Sequence, residues 1–354
     1  DSPNHPIKGV PWSTRHVREC FELGAEKFGW QKRSSEPRSM KDGDLLLGWG
    51  VAMATYPARK WAADAQIELT AEGTALVRCA THDLGTGAYT ALTQISADAI
   101  GLPVEKVKFE LGNSDFPFGP VAGGSNSTAT VGSALVATAR VLHEKLAKLA
   151  AKDAQSPLHG LDAKDLRVVA LGRLGADAEK SDSFTDILRR AGLETIEAQG
   201  GIKEEDNEKL AFQSFGAQFC EVKIDPALPL VRVTRFVSVM DCGRVINPKT
   251  GGNQIVGGVV MGIGMALEEE TIHDPATGLL ATRNLADYHV PVHADIPTIE
   301  AHFVGEPDFA FNPMGARGMG EIGITGTAAA VANAVFHATG KRVRDLPITL
   351  DKLM

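Results

Sequence analysis

The chain has 354 residues, 44% hydrophobic and 23% charged, which is enough for more than one packed core. A net charge of −8 at pH 7 argues against nucleic acid or an anionic membrane as main partner. No apolar run reaches the ~18–20 residues of a membrane span. In chain order, residues 11–30 predict a helix capped by Ser13 or Thr14, with Val17, Cys20, Phe21, Gly24 and Phe28 on one face. Gly48-Trp-Gly-Val-Ala-Met opens a strand region. A hairpin follows, in which Ile67 and Leu69 precede Glu72-Gly73 and Ala75, Val77 and Cys79 come after it. The chain then passes Gly85-Thr-Gly87 into a helix carrying Ala88, Leu92, Ile95 and Ala99. A longer helix from Ser127–Thr128 carries Leu135, Leu142, Leu146 and Leu149.

Residues 152–215 are more polar and read as a surface excursion with one short helix, Asp182 to Ala191, closed by Gly192. The strand plan then returns. Cys220, Val222 and Ile224 alternate, Asp225-Pro226 turns the chain, and Val231, Val233, Val237 and Val239 alternate again, before a glycine-rich loop and a helix through 254–268. Each half therefore runs hairpin, glycine loop, helix, which predicts a duplicated α+β plan with helices packed on a sheet face. The expected organisation is a helical lead-in over 1–40, a first lobe over 41–215 that includes the polar excursion, and a second lobe over 216–354.

The cysteines, Cys20, Cys79, Cys220 and Cys242, are dispersed without a Cys-x-x-Cys pair, so buried thiols are expected rather than cluster ligands or disulfides. The ten histidines form no His-Glu-x-x-His or Cys/His pattern, and no protein-ligated metal is expected. Gly-x-Gly at 85–87 and 262–264 is followed by Thr90 and Leu267 at the sixth positions, which argues against a Rossmann site. Gly123-Gly-Ser-Asn-Ser-Thr offers clustered N–H groups and hydroxyls at a helix start. It reads either as a phosphate-binding loop or as a plain turn with an N-cap.

The densest signal is Arg317-Gly-Met-Gly-Glu-Ile-Gly-Ile-Thr-Gly-Thr, where Glu321 sits on a glycine-rich loop entering an almost uncharged helix. Thr325 or Thr327 is the expected cap, Ala328, Val331, Ala332 and Val335 have helical spacing, and Gly340 is the stop. A lone carboxylate in apolar surroundings suits a general base working near neutral pH. The alternative is a helix-start Glu favoured by the macrodipole.

Gly-Met-Gly-Glu-Ile-Gly before an alanine-rich helix resembles the C-terminal signature of the molybdenum-binding subunit of the xanthine oxidase family. The likeness extends upstream in order, through Asp83-Leu-Gly-Thr-Gly87, Gly123-Gly-Ser-Asn-Ser-Thr-Ala129, Asp241-Cys-Gly-Arg-Val-Ile-Asn-Pro248 and Gln254-Ile-Val-Gly-Gly-Val-Val-Met-Gly-Ile-Gly264. It covers most of 40–354, and within the family it looks most like the bacterial aldehyde oxidoreductases. The resemblance implies duplicated two-layer α/β lobes of the molybdenum cofactor-binding type. It also implies Mo-molybdopterin, in its cytosine dinucleotide form, with the metal held by the pterin dithiolene.

The cofactor contacts so implied are Gly85, Thr86 and Gly87, then Gly124, Ser125, Asn126, Ser127, Thr128 and Ala129. They continue with Arg244, Val245, Ile246, Asn247, Pro248, Lys249 and Thr250, then Gln254, and end at Arg317, Gly318, Met319 and Gly320. Some relatives carry Gln where this chain has Thr86. Gln254 reads either as an amide contact or as a solvated helix-start residue, and Arg244 as a pyrophosphate partner or a partner of Asp241. Glu321 would be the catalytic base in the oxidation of an aldehyde or N-heterocycle with water-derived oxygen, hydride passing to a Mo=S sulfur. Iron–sulfur and flavin (FAD) centres would lie on partner domains or subunits. The opening Asp1-Ser-Pro-Asn-His-Pro reads as the interior of a longer protein, so the N-terminal portion of the molybdenum subunit is an expected further partner. The alternative is a cofactor-binding or assembly module that is inactive without those parts.

Overall fold

The computed structural model describes residues 3–205 and 208–354. In chain order the elements begin with α1 (Val17–Phe28), β1 (Lys41–Asp42), β2 (Leu45–Pro57), β3 (Ala63–Thr70), β4 (Ala75–Arg78), α2 (Ala88–Ile100) and β5 (Val107–Glu110). Next come α3 (Ser127–Lys152), β6 (Arg167–Ala170), β7 (Arg173–Gly175), β8 (Ser181–Ser183), α4 (Phe184–Arg190) and β9 (Thr195–Ile202). The series ends with β10 (Gln213–Ile224), β11 (Val231–Asp241), α5 (Pro248–Leu267), β12 (Thr298–Val304) and α6 (Thr327–Thr339). No helix among the described residues is long and apolar enough to cross a membrane.

The chain divides into two compact units. One comprises Asp1–Pro57, Ala211–Glu306 and Gly318–Met354, and the other Ala58–Leu210 and Pro307–Arg317. The first unit is built on a five-stranded sheet in the order β1-β2-β10-β11-β12. Strand β10 pairs antiparallel with β2 and β11, and β12 joins β11 in parallel. On one face Ala217 and Phe219 of β10 pack with Cys20, Phe28 and Trp49. On the other, Cys220, Val222 and Ile224 pack with Val259 and Ile263 of α5 and Ala330, Val331 and Ala334 of α6. Burying a side chain such as Phe219 contributes ~1.5–3 kcal/mol. Because both faces are covered, β10 and the end of β11 lose the in–out alternation of a half-solvated strand.

The second unit is a two-layer structure. Its four-stranded sheet runs β5-β4-β3-β9, with α2 and α3 packed on it. The hairpin expected around Glu72-Gly73 forms, with Ile67, Leu69, Ala75 and Val77 buried. Strand β5 lies parallel to β4, and α2 supplies the crossover that a parallel pair needs.

The first helix starts at Val17 and its N-cap is His16, so neither Ser13 nor Thr14 caps it. The residues before it are held in extended pairing, through a bridge between Trp12 and Ala211 and a bond from Ser13 N–H to the Ala211 carbonyl. Residues 152–215 hold more than one short helix. They also contain the sheet β6-β7-β8 and strand β9, which pairs with β3 along its whole length. The small strands are too short to show a period. In β9, Gly200 replaces an inward side chain because Thr138 of α3 lies against it.

Candidate functional site

Within the first unit, segment 318–327 is laid along one face of α5. Its residues Met319, Ile322, Gly323 and Thr327 pack against Gly251, Ile255, Gly258 and Gly262, which share a helix face at spacings of four, three and four. The closest approach is backbone on backbone. A Cβ added at Gly258 would lie 2.7 Å from the Gly323 Cα and 2.8 Å from the Ile324 nitrogen. Only glycine at both positions permits it. Glu321 sits half-buried on the turn so formed, its carbonyl accepting from the Ile324 N–H at 3.2 Å.

The sheet holds this segment from beneath, by its carbonyls. The Ser214 hydroxyl donates to the Gly318 carbonyl at 2.9 Å, and the Gln218 side-chain amide donates to those of Gly323 at 2.9 Å and Thr325 at 3.3 Å. The Thr327 hydroxyl also donates to the Gly323 carbonyl, at 2.9 Å. Thr325 accepts from the Thr55 N–H of β2 and donates to the Ile322 carbonyl. Neither threonine therefore caps α6. Its N-cap is Gly326, at φ 80°, and Gly340 is the stop as expected. The hydroxyls are drawn off because the tight turn leaves nearby carbonyls to satisfy.

Helix α5 begins at Pro248, and the Asn247 side chain accepts from the Thr250 N–H at 3.0 Å. Gln254 lies in the second turn of α5 and is half-buried. Arg244, Pro248 and Lys249 are exposed. Asp241 is buried and accepts from the His16 backbone N–H at 3.0 Å, with the His16 ring at 3.2 Å.

In the second unit, Asp83 organises the Gly85–Gly87 loop. Its carboxylate accepts from the N–H groups of Gly85, Gly87 and Tyr89 at 2.8–3.2 Å and from the Thr86 hydroxyl at 3.3 Å. Burial pushes this carboxyl up, but the Tyr89, Gly85 and Gly87 N–H groups with the Thr86 hydroxyl outweigh it and hold Asp83 below its ordinary range. The amides of Gly85 and Gly87 are thus already spent on a carboxylate of the chain itself, while Thr86 is exposed.

At the start of α3, Gly124 and Ser125 are left-handed, at φ 69° and 56°. Asn126 is the N-cap but makes no capping bond. Its buried amide donates to the Val121 and Gly123 carbonyls and accepts from the Thr130 hydroxyl. The first turn of α3, including Ser127, Thr128 and Ala129, is left without a side-chain cap. Arg317 has a fully buried side chain, 3.7 Å from the Asp308 carboxylate. Phe311 is buried and Phe309 exposed.

The four cysteines are buried, free thiols. Burial pushes the Cys79 thiol up to about 11 and raises Cys20 and Cys220 as well. Among the described residues no group of three His, Cys, Asp or Glu side chains is placed to hold a metal ion. Sequence reasoning missed Ser214, Gln218 and the hub role of Asp83. A polar residue inside the buried run Gly216-Ala-Gln-Phe-Cys220 was the available signal for Gln218.

The family model for the molybdopterin cofactor-binding domain matches residues 23–297. The chain belongs to this family. It is 37% identical to the aldehyde oxidoreductase molybdenum-binding subunit PaoC of Escherichia coli (strain K12), over 97% of this chain and 45% of that protein. It is 32% identical to the putative xanthine dehydrogenase molybdenum-binding subunit XdhA of the same organism, over 99% and 47%. Quinoline 2-oxidoreductase from Pseudomonas putida 86 has the same fold, with a TM-score of 0.86 and 25% identity over 99% of this chain and 47% of that one. The chain spans about half the length of the curated relatives it matches.

Proposed function

We propose that this chain is the cofactor-holding, base-bearing portion of a molybdenum hydroxylase that oxidises aldehydes or electron-poor N-heterocycles. The observation that carries the reading is the glycine-bedded turn at Glu321, pinned at its carbonyls from β10 and at the Thr325 hydroxyl from β2, and packed backbone to backbone on α5. Such a turn fixes the backbone that carries the carboxylate, as the positioning of a general base requires.

The remaining loops fit a bulky anionic cofactor. Gly124–Ala129 combines a left-handed pair with a helix start that has no side-chain cap, an arrangement suited to a phosphate. Arg244–Thr250 adds a second helix start with exposed Arg244 and Lys249. The start of α3, which has no side-chain cap, suits a phosphate by itself, and the cytosine dinucleotide is the form expected. Gln254 offers its amide to the cofactor from α5. Gly318–Gly320 would contribute backbone, and so would Arg317, whose guanidinium is buried beside Asp308. In the Gly85–Gly87 loop, Thr86 is left as the contact.

When bound, molybdopterin supplies the redox metal that takes up the electron pair leaving the substrate. Glu321 takes the proton from the water-derived oxygen that attacks the substrate carbon, a role that contributes ~10²–10⁴-fold. The buried, protonated thiols here suit packing. Iron–sulfur and flavin centres on partner domains or subunits, and the remainder of the molybdenum subunit, would complete electron transfer. A second reading, a module that binds cofactor but does not turn over alone, is favoured by the chain covering 45% of its 37%-identical relative.

The deciding measurement is molybdenum and acid-released CMP per mole of purified protein, on the same sample. Near-stoichiometric amounts of both are expected. Their absence, alone and after co-expression with the rest of the subunit, would leave the fold without this chemistry.

A further inference from the structure

The geometry points to Gln218 as the positioning residue for Glu321, an inference that rests on the base role proposed above. Gln218 lies on β10, the central strand of the first unit's sheet, and has no solvent exposure. Its side-chain nitrogen spans the turn after Glu321, donating to the Gly323 and Thr325 carbonyls. Glu321 is two residues from the first of these acceptors. Ser214, four residues earlier on the same strand face, holds the Gly318 carbonyl on the other side. The catalytic turn is thus clamped at both ends from one strand.

The acceptor side of the same amide shows what position 218 supplies. The Gln218 side-chain oxygen is buried and makes no hydrogen bond among the described residues. An unpaired buried acceptor costs free energy, and a methionine of similar volume would avoid that cost. The gain that offsets it is the donor function, two hydrogen bonds to the carbonyls that set the turn. Thr327 shares the Gly323 carbonyl but is tied to α6, and Thr325 is tied to β2 at its own hydroxyl. Gln218 reaches two of the turn's carbonyls from the sheet.

The test compares Gln218→Met and Gln218→His in the assembled holoenzyme, with Glu321→Gln alongside. Histidine restores one ring N–H at nearly the reach of the glutamine amide, enough for one of the two hydrogen bonds. Three readouts are taken: molybdenum content, backbone amide exchange over 319–326, and kcat and KM against pH with benzaldehyde and hypoxanthine as probes. In Gln218→Met the expected result is normal molybdenum and melting temperature but faster exchange across 319–326. Its kcat should fall ~10- to 100-fold at nearly constant KM, with a displaced acid limb of the pH profile. Gln218→His, with one of the two bonds restored, should recover both protection and kcat in part.

Unchanged exchange and kcat in Gln218→Met would overturn the inference, as would a failure of Gln218→His to recover either. Should Gln218→Met not fold, Gln218→His decides alone: exchange and kcat within ~10-fold of wild type support the donor role, and a larger loss of both overturns it. The exchange readout does not depend on the base role. Faster exchange together with normal turnover in Glu321→Gln would therefore leave Gln218 as the clamp of the turn and remove only the base reading.

Discussion

Two carboxylates in this molecule sit on glycine-rich loops, and the two loops are held in opposite ways. Asp83 is the hub of its loop, which wraps three N–H groups and a hydroxyl around the carboxylate. The Glu321 turn is held by its carbonyls, from Ser214, Gln218 and Thr327, and by glycine contacts with α5. In the first loop the backbone presents donors inward and the acid completes the fold. In the second the backbone presents acceptors to the scaffold. A glycine-flanked carboxylate in a sequence therefore does not say whether it is scaffold or chemistry. The direction of the backbone hydrogen bonds is what separates these two loops.

The sharpest break of this contrast is Glu321→Gln. Because the turn's backbone is held by Ser214, Gln218 and Thr327 and by packing on α5, molybdenum content and melting temperature should stay normal in the complete enzyme. Turnover should fall at least ~100-fold. Steady-state kinetics on fully loaded protein decide it, and near-normal turnover would remove Glu321 from the base role. A smaller effect is expected at Gly258. An alanine there would meet the Gly323 Cα at 2.7 Å, with backbone on both sides and no side chain to yield. Overpacking of this kind costs ~1–3 kcal/mol. Gly258→Ala should lower the denaturant midpoint and cut turnover through displacement of the turn, while Gly257→Ala, on an open face, should do neither.

Much of the scaffold around these loops was legible in the sequence because its elements are long or strictly periodic. The hairpin at Glu72-Gly73, the β10–β11 pair and the helices at 88–100 and 127–152 all carry enough repeats to show their period. Helix ends were less legible. Thr325 and Thr327 have the right chemistry for a cap, but the carbonyls of the glycine turn claim their hydroxyls. Asn126 is diverted into its own loop, whereas Asn247, the same residue type, caps α5. Capping chemistry is local, but its competitors are set by tertiary structure. Strand β9 was hidden for a related reason: Gly200 faces α3, so a position that would show the alternation has no side chain. For the candidate site, the residues on the loops were readable from motif likeness. Those that aim the loops, Gln218 and Ser214, lie on a buried strand over a hundred residues away in sequence.

The mildest test falls on Asp83. Asp83→Asn keeps an acceptor oxygen and removes the charge that strengthens four hydrogen bonds, at a cost of about 1 kcal/mol. The sign of its pH dependence follows from the lowered folded-state affinity for the proton. The unfolded chain binds a proton at Asp83 near the ordinary carboxylate value of ~3.9, the folded chain only at lower pH. The stabilisation is therefore fully present above the unfolded value and fades as pH falls from there through the folded one. Wild type and Asp83→Asn should differ by a constant amount in denaturant titrations above about pH 5 and converge in acid. A difference that persisted in acid would mean that shape, not charge, holds this loop. In that case the contrast with Glu321 would lie in packing rather than in the direction of hydrogen bonding.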